Sequence, residues 1–562
     1  MKLEWENPIG SVKDRMVRAV ISRAEADGRL KPGDTVVDYW TDQLNNQGFT
    51  HGGIESSPNR YAPEGLATEW EHVTMKSWPA RLILTVMIPV TVSSPHAKDA
   101  VDTKPGFENL LRRAIVVKDE PADRHSLSAR MAHYKVPGLS VAIIEGCKVV
   151  EARGFGEVEV DGVAVQPDTL FQAASISKPV TALAVLRLVE QDKLSLDADV
   201  RTGLKTWMLP DSPLLKEHPV TLRTLLSHSA GLNVHGFGGY PVGAALPTTS
   251  QILDGFSPAN SEPIRVQSPP GSRSSYSGGG YVVTQLLMTD STAKPFPEVM
   301  RNLVLAPVGM ADSTFEQPLP VRLTASAATG HLFSGKPVPG KWHVYPEMAA
   351  AGLWTTPRDL ARLAIAVMRA SQAAPDAIVS KSAAASMLNA QIADRSLGWE
   401  VDGEGKARSF GHGGANEGYG AVMIAYPETC QGAAVMTNAD GGRLLVNEVL
   451  RAIADTYHWA DAMPSAEQER IGVTPAIITR FAGAYRLKDV TLEIAADKVG
   501  GLTLSWEGLT SEPLLASPNG LFAPDSGLVV ETKEAAAASA QTLTLYYVET
   551  NTGKYEAARI AP

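Results

Sequence analysis

Ser175 and Lys178 are the residues whose types and spacing first suggest chemistry. They lie three apart in Phe171-Gln172-Ala173-Ala174-Ser175-Ile176-Ser177-Lys178-Pro179-Val180, at the start of a strongly helical run over 180–192. On a helix that spacing shares one face, which puts the lysine nitrogen beside the serine hydroxyl. A serine hydroxyl is a poor nucleophile until a neighbouring base takes its proton. A lysine is that base only when burial or another positive group lowers its pKa. The helix N-terminus adds N–H groups and a positive dipole end, which suit an oxyanion beside Ser175. The bare pair equally fits a surface helix start, with Ser177 as cap and Lys178 in solvent.

Four further segments could supply chemistry. Leu225-Leu226-Ser227-His228-Ser229-Ala230-Gly231-Leu232 closes a predicted helix over 221–232 at a glycine. Pro270-Gly271-Ser272-Arg273-Ser274-Ser275-Tyr276-Ser277-Gly278-Gly279-Gly280-Tyr281 is a glycine-rich turn that presents a tyrosine ahead of an apolar helix. Gly352-Leu353-Trp354-Thr355-Thr356-Pro357-Arg358-Asp359-Leu360 and Phe410-Gly411-His412-Gly413-Gly414-Ala415-Asn416-Glu417-Gly418-Tyr419 follow.

The elements that must position these residues alternate between strand and helix. The pattern predicts a mostly helical 110–134, strands over 137–144 and 149–156, and the nucleophile helix. Strands over 421–426 and 433–438, a turn at 427–432 and a last helix over 444–459 come later. The chain has 562 residues, enough for two or three domains. Its 44% apolar and 20% charged content is that of a soluble globular protein. The net charge is −10 with no basic stripe, which argues against a nucleic-acid partner. Two cysteines exclude a disulfide-rich scaffold and a Cys-based zinc site. No run reaches membrane-spanning length, and no metal is expected.

In the order they occur, the five segments resemble the serine hydrolases of the class C β-lactamase, penicillin-binding protein and family VIII esterase group, over about 105–460. The resemblance implies an α/β (α+β) fold, an antiparallel sheet flanked by helices plus a helical subdomain. It implies Ser175 as acylated nucleophile, Lys178 as the lysine that activates it, and Tyr276 as the proton-shuttling tyrosine of a Tyr-x-Asn motif. A phenol needs adjacent positive charge for that task. His412-Gly413-Gly414 matches the Lys-Thr-Gly strand motif with histidine for lysine, as in many esterase-like members. Those residues line the substrate, and the backbone N–H groups of Ser175 and Ala415 form the oxyanion hole. His228 matches a structural position; Tyr345, Trp354 and Tyr419 are candidate pocket walls. Gly278 stands where the motif has asparagine. Losing that hydrogen bond costs on the order of 1–3 kcal/mol, which weakens the β-lactamase reading, and the glycine is expected to widen the pocket. In this fold the first strand lies beside the last, so Cys147 and Cys430 would meet at one end as a disulfide.

The implied function is a serine acyl-hydrolase acting on esters or β-lactams without cofactor. The rivals are a D-amino-acid peptidase or D-Ala-D-Ala carboxypeptidase, and a penicillin-binding sensor with little turnover. The expected partner is therefore a small ester, a β-lactam or a short D-amino-acid peptide.

The flanks read differently. Asn7-Pro8-Ile9-Gly10-Ser11-Val12-Lys13-Asp14-Arg15 resembles the pyridoxal-phosphate lysine segment of the cysteine synthase family. The substrate and phosphate loops that should follow are absent, so 1–74 reads as a truncated remnant and linker, with Lys13 in solvent. Met75-Lys76-Ser77-Trp78-Pro79-Ala80-Arg81, the apolar 82–92 and Pro95-His96-Ala97 read as a signal peptide over 75–97. If translation starts at Met75 the protein is periplasmic or secreted; otherwise it is cytoplasmic. The hydrolase domain spans 98–464. Short alternating strands over 490–494, 502–506, 521–523, 528–531 and 543–548 predict a small all-β barrel in 465–562. It resembles the lipocalin-like domains appended to some of these hydrolases, and shaping the active-site mouth or assisting homo-oligomerisation would suit it.

Overall fold

The computed structural model describes residues 106–560, apart from 122, 462, 488–489, 498–499, 507–511, 533–540 and 549–553. The cysteine synthase-like and signal-like segments lie outside the described residues.

The main sheet has six strands: β1 (Gly138–Glu145), β2 (Lys148–Gly156), β3 (Glu400–Asp402), β4 (Ser409–Asn416), β5 (Tyr419–Tyr426) and β6 (Gln431–Thr437). Their spatial order is β2-β1-β6-β5-β4-β3, all antiparallel. Both faces are covered, so β1 is apolar nearly throughout instead of alternating. Its Leu139, Val141 and Ile143 join one core, and Ala142 and Ile144 join the other. Helix α3 (Pro357–Ser371) packs in the larger core, on the Ala142 and Ile144 side, with α1 (Ser177–Glu190) and α2 (Gly278–Thr292), whereas α4 (Gly442–Tyr457) covers the opposite face with Leu139, Val141 and Ile143. The result is three layers around one sheet.

Local chemistry explains the helix starts. Thr356 caps α3 by accepting from Asp359 N at 3.2 Å, with Pro357 in the first turn, where no N–H partner is needed. Ser277 caps α2 by accepting from Gly280 N at 3.0 Å. Two expected helices are shorter than their patterns. The stretch 110–134 holds only the helix Leu127–His133; Ile115–Val117 is a strand, paired in parallel with Ala466–Gln468. Its β-branched run favours extended backbone, and Pro121 stops any helix before Ser126 caps the real one. Of 221–232 only Leu222–Leu226 is helical, because His228 takes a left-handed φ of 57° and the chain turns there.

The C-terminal unit is a closed antiparallel barrel of β7 (Gly483–Leu487), β8 (Val490–Ala496), β9 (Leu502–Trp506), β10 (Glu512–Ser517), β11 (Gly520–Ala523), β12 (Leu528–Thr532), β13 (Thr542–Tyr547) and β14 (Tyr555–Arg559). Each strand pairs with the next, and β14 closes on β7. Leu492, Ile494, Leu504, Leu514, Val530 and Leu545 pack together in its core.

Cys147 and Cys430 sit in the turns after β1 and before β6. They form a disulfide, with Cα atoms 4.8 Å apart and Cys147 N donating to the Cys430 carbonyl at 3.0 Å.

Candidate active site

Ser175 is the one residue of 171–180 that is not buried. It sits in the 3-10 turn Ala174–Ile176, which runs straight into α1. Ala174, just before it, holds a left-handed φ of 49°, the kind of strain that clusters at working sites. Ser177 caps nothing: its hydroxyl donates to Ala174 O at 2.6 Å and accepts from Leu353 N at 3.0 Å, tying the turn to the 352–360 segment. Strand β4 closes the other side. A Cβ on Gly414 would lie 2.1 Å from Ala173 O, so only glycine lets the strand approach the Ser175 turn this closely.

Lys178 is 2% exposed. Its Nζ donates to Ser175 Oγ at 3.0 Å and to the Ala350 carbonyl at 2.9 Å. Burial pushes its pKa down to about 7, helped by the positive charge of Arg395 and opposed by Glu400. A buried lysine of that pKa is about half free amine at neutral pH, and the amine is the form that can take a proton from Ser175.

Tyr276 faces the same pair. Lys178 Nζ is 4.8 Å from its ring centroid, and the Arg395 guanidinium is 5.6 Å away. Burial raises the phenol well above its ordinary value; the nearby Ser175 hydroxyl and Arg395 pull the other way and lose. Its hydroxyl is buried without a hydrogen bond of good geometry. The ring is fixed by His228, stacked on it at 4.1 Å and 26°. His228 Nδ1 accepts from Ser277 N at 3.1 Å, and burial holds the imidazole far below its usual pKa. The left-handed turn at His228 thus serves to orient Tyr276.

His412 stands on β4, 6.2 Å from the Tyr276 ring between centroids. Its Nδ1–H donates to Gly413 O at 2.6 Å, which leaves Nε2 a buried acceptor with no partner. Burial pushes its pKa down to about 4, so the ring is neutral at pH 7. The strand therefore carries no positive charge at this position.

Ser175, Lys178, Tyr276, Gly278, Ala350, Ala415 and Asn416 line one narrow cleft, completed by the 235–237 loop. Four expectations need correcting. Gly278 does not widen the cleft: a Cβ there would meet His235 O and the Phe237 ring at 3.0 Å, so the loop fills the space that the missing side chain leaves. Trp354 and Tyr419 are core residues, both fully buried, packed edge to face at 5.8 Å, with Tyr419 O–H donating to Ala328 O at 2.6 Å. Tyr345 is likewise buried, its hydroxyl accepting from Glu417 N at 3.2 Å. His412, Gly413 and Gly414, expected to line the substrate, are not among the residues lining this cleft; Gly413 supplies the carbonyl that holds His412.

Sequence reading missed Arg395, Ala350, Phe237 and Asn416. Asn416 donates to Gln172 Oε1 at 2.7 Å and to Ala351 O at 3.1 Å, which fixes the end of β4 beside the nucleophile turn. Asn416 lies inside the 410–419 segment and Ala350 just before the 352–360 segment, but nothing in their types marks a role. Arg395 precedes Ser396-Leu397-Gly398-Trp399 in a loop with no signal of its own.

The family described as Beta-lactamase matches residues 124–458. Penicillin-binding protein 4 of Amycolatopsis lactamdurans is 25% identical over 377 residues, covering 64% of this chain and 95% of that protein. Esterase EstB of Burkholderia gladioli is 33% identical over 181 residues, covering 30% of this chain and 44% of the esterase. Among solved structures, the octameric penicillin-binding protein homologue from Pyrococcus abyssi aligns with a TM-score of 0.51 at 22% identity, covering 77% of this chain and 98% of that one. The match to the family over more than half of the sequence, on a fold of the same kind, establishes that this chain belongs to the beta-lactamase family of serine hydrolases.

Proposed function

We propose that the chain is an acyl-hydrolase that works through an acyl-enzyme on Ser175 and prefers neutral carboxylic esters. The observation that carries the reading is the buried Lys178 amine 3.0 Å from Ser175 Oγ.

Lys178 Nζ takes the Ser175 proton as Oγ attacks the carbonyl. The oxyanion that forms rests on the N–H groups of Ser175 and Ala415. Tyr276, a phenol at neutral pH because of its burial, donates its proton to the departing alkoxide and is reprotonated from Lys178. Water then attacks the acyl carbon, with Lys178 again the base, and Ser175 is released.

Charge favours esters over the rival substrates. Penicillins, cephalosporins and peptides ending in D-alanine carry a carboxylate on or near the leaving side. His412 offers that carboxylate no cation, and Arg395 is already paired with Glu400 and Asp394. Gly278 and the Phe237 ring replace the asparagine that would hold an acyl amide. The esterase among the relatives supports the same choice. The disulfide suits an exported protein, in line with the signal-like reading of 75–97. We assign the barrel to the lipocalin-like appended domains on its eight-strand closure.

Side-by-side hydrolysis of a short-chain p-nitrophenyl ester and a chromogenic cephalosporin, by wild type and Ser175→Ala, tests the proposal. The ester is expected to be much the better substrate, and the mutant to lose it. A cephalosporin turned over faster than the ester would overturn the substrate choice; ester turnover surviving in the mutant would overturn Ser175.

A further inference from the structure

Arg395 is a buried cation, 8% exposed, in the loop that leads into β3. Its guanidinium pairs with Glu400, on β3, and lies 3.4 Å from Asp394 at Nε. It also stands over the Tyr276 ring, the ring that Lys178 Nζ approaches from 4.8 Å. Burying a cation is costly unless it is paired, and a pair at this place could be replaced by apolar packing. Its position beside the nucleophile machinery calls for a reason.

We propose that Arg395 is a positioning residue: a fixed guanidinium that supplies, from the loop before β3, the positive charge that His412 does not supply from β4, and so favours the amine form of Lys178. Glu400 sets how much of that charge Lys178 feels. The inference rests on the acyl-enzyme reading above. The groups facing Lys178 are consistent with it. Helix α2 and the turn before it bring Tyr276 and Tyr281, both neutral; β4 brings neutral His412; the turn after Leu226 brings neutral His228. The short helix Met348–Ala351 contributes the Ala350 carbonyl, which carries no net charge. The 235–237 loop brings His235, whose ring lies 4.8 Å from that of Tyr276. Arg395 and Glu400 act on the lysine as a charged pair of opposite signs. The repulsion from Arg395 favours the amine, and the attraction of Glu400 favours the ammonium.

The opposite signs make the test. The pH dependence of kcat/KM for a short-chain p-nitrophenyl ester is measured on the full chain, with its ascending limb near pH 7 in wild type. Arg395→Gln is expected to move that limb up by about one pH unit, because Lys178 Nζ and the guanidinium lie 4.8 and 5.6 Å from one ring centroid, hence within about 10 Å of each other, at an effective dielectric of about 20. Arg395→Lys should restore it, and Glu400→Gln should move it down. A residue that merely anchors the loop would lower the plateau and leave the limb in place. An unmoved limb in Arg395→Gln, or limbs that move the same way in Arg395→Gln and Glu400→Gln, would overturn the assignment. If Arg395→Gln does not fold, Glu400→Gln decides alone: a limb that fails to fall overturns the proposal. Fluorophosphonate labelling of Ser175 in every variant separates the two readings. Labelling without a moved limb removes only the role of Arg395, whereas a wild type that is not labelled at Ser175 removes the acyl-enzyme itself.

Discussion

At the scale of single residues, the site is a problem of protonation. On the proposed reading Ser175 needs a base, and Lys178 can serve as one because burial makes the ammonium costly. Activity should therefore rise with pH through about 7, as Lys178 loses its proton, which a pH profile of kcat/KM reads directly. A profile that stays flat between pH 6 and 8, where one such group gives a roughly tenfold rise, would be inconsistent with this base. Tyr276→Phe keeps the ring that stacks on His228 but removes the proton donor. It should lower kcat by roughly 10²–10⁴-fold with little change in melting temperature. The sequence carried Ser175, Lys178 and Tyr276 plainly, because each lies in a local motif whose spacing is the signal. Arg395 was invisible for the opposite reason: its relation to Tyr276 spans 119 positions and exists only once the loop before β3 folds back.

At the scale of elements, backbone approach decides whether the residues meet. The Gly414 position on β4 admits no side chain, because Ala173 O would be 2.1 Å from its Cβ. Gly414→Ala should push the strand and the nucleophile turn apart and cost on the order of 10²-fold in kcat/KM, since misplacements of about 1 Å have that effect. The disulfide between the turns flanking β1 and β6 closes a chain separation of 283 residues. Replacing Cys147 and Cys430 by serine should destabilise the enzyme by about 2–5 kcal/mol, read in denaturant melts, with the active site still able to react. Strands β1, β2, β5 and β6 and helices α1 and α4 were legible from apolar runs and turn signals. The excess helix read into 110–134 and 221–232 came from periodicity alone. A β-branched stretch and a left-handed histidine override it, and both depend on partners far along the chain.

At the scale of the molecule, the barrel is joined to the hydrolase by charge as well as by packing. Arg130 donates to Glu448 at 2.6 and 2.7 Å and to Asp525 at 2.7 Å, and His133 lies 2.8 Å from Asp525. Ile115 N donates to Pro524 O at 3.1 Å beside them. Glu448 is fully buried, so Glu448→Ala leaves Arg130 without its main partner and should cost about 3–5 kcal/mol. Asp525→Ala removes only the link to the barrel, at about 1–3 kcal/mol, and should leave the reactivity of Ser175 unchanged. Thermal melts with parallel labelling separate the two. Five barrel strands could be read in the sequence; β7, β10 and β14 could not. Pro513 interrupts β10, and the alternation of β14 is carried by Glu556 and Arg559 as much as by apolar residues. Closure of the barrel supplies what those strands lack locally.

The measurement that bears most directly on the central claim is mass spectrometry of the enzyme after brief exposure to a slow ester or a fluorophosphonate. A single covalent adduct on the peptide containing Ser175, absent from Ser175→Ala and strongly slowed in Lys178→Ala, is the predicted result. An adduct on any other residue, or ester hydrolysis at the wild-type rate in Ser175→Ala, would contradict it.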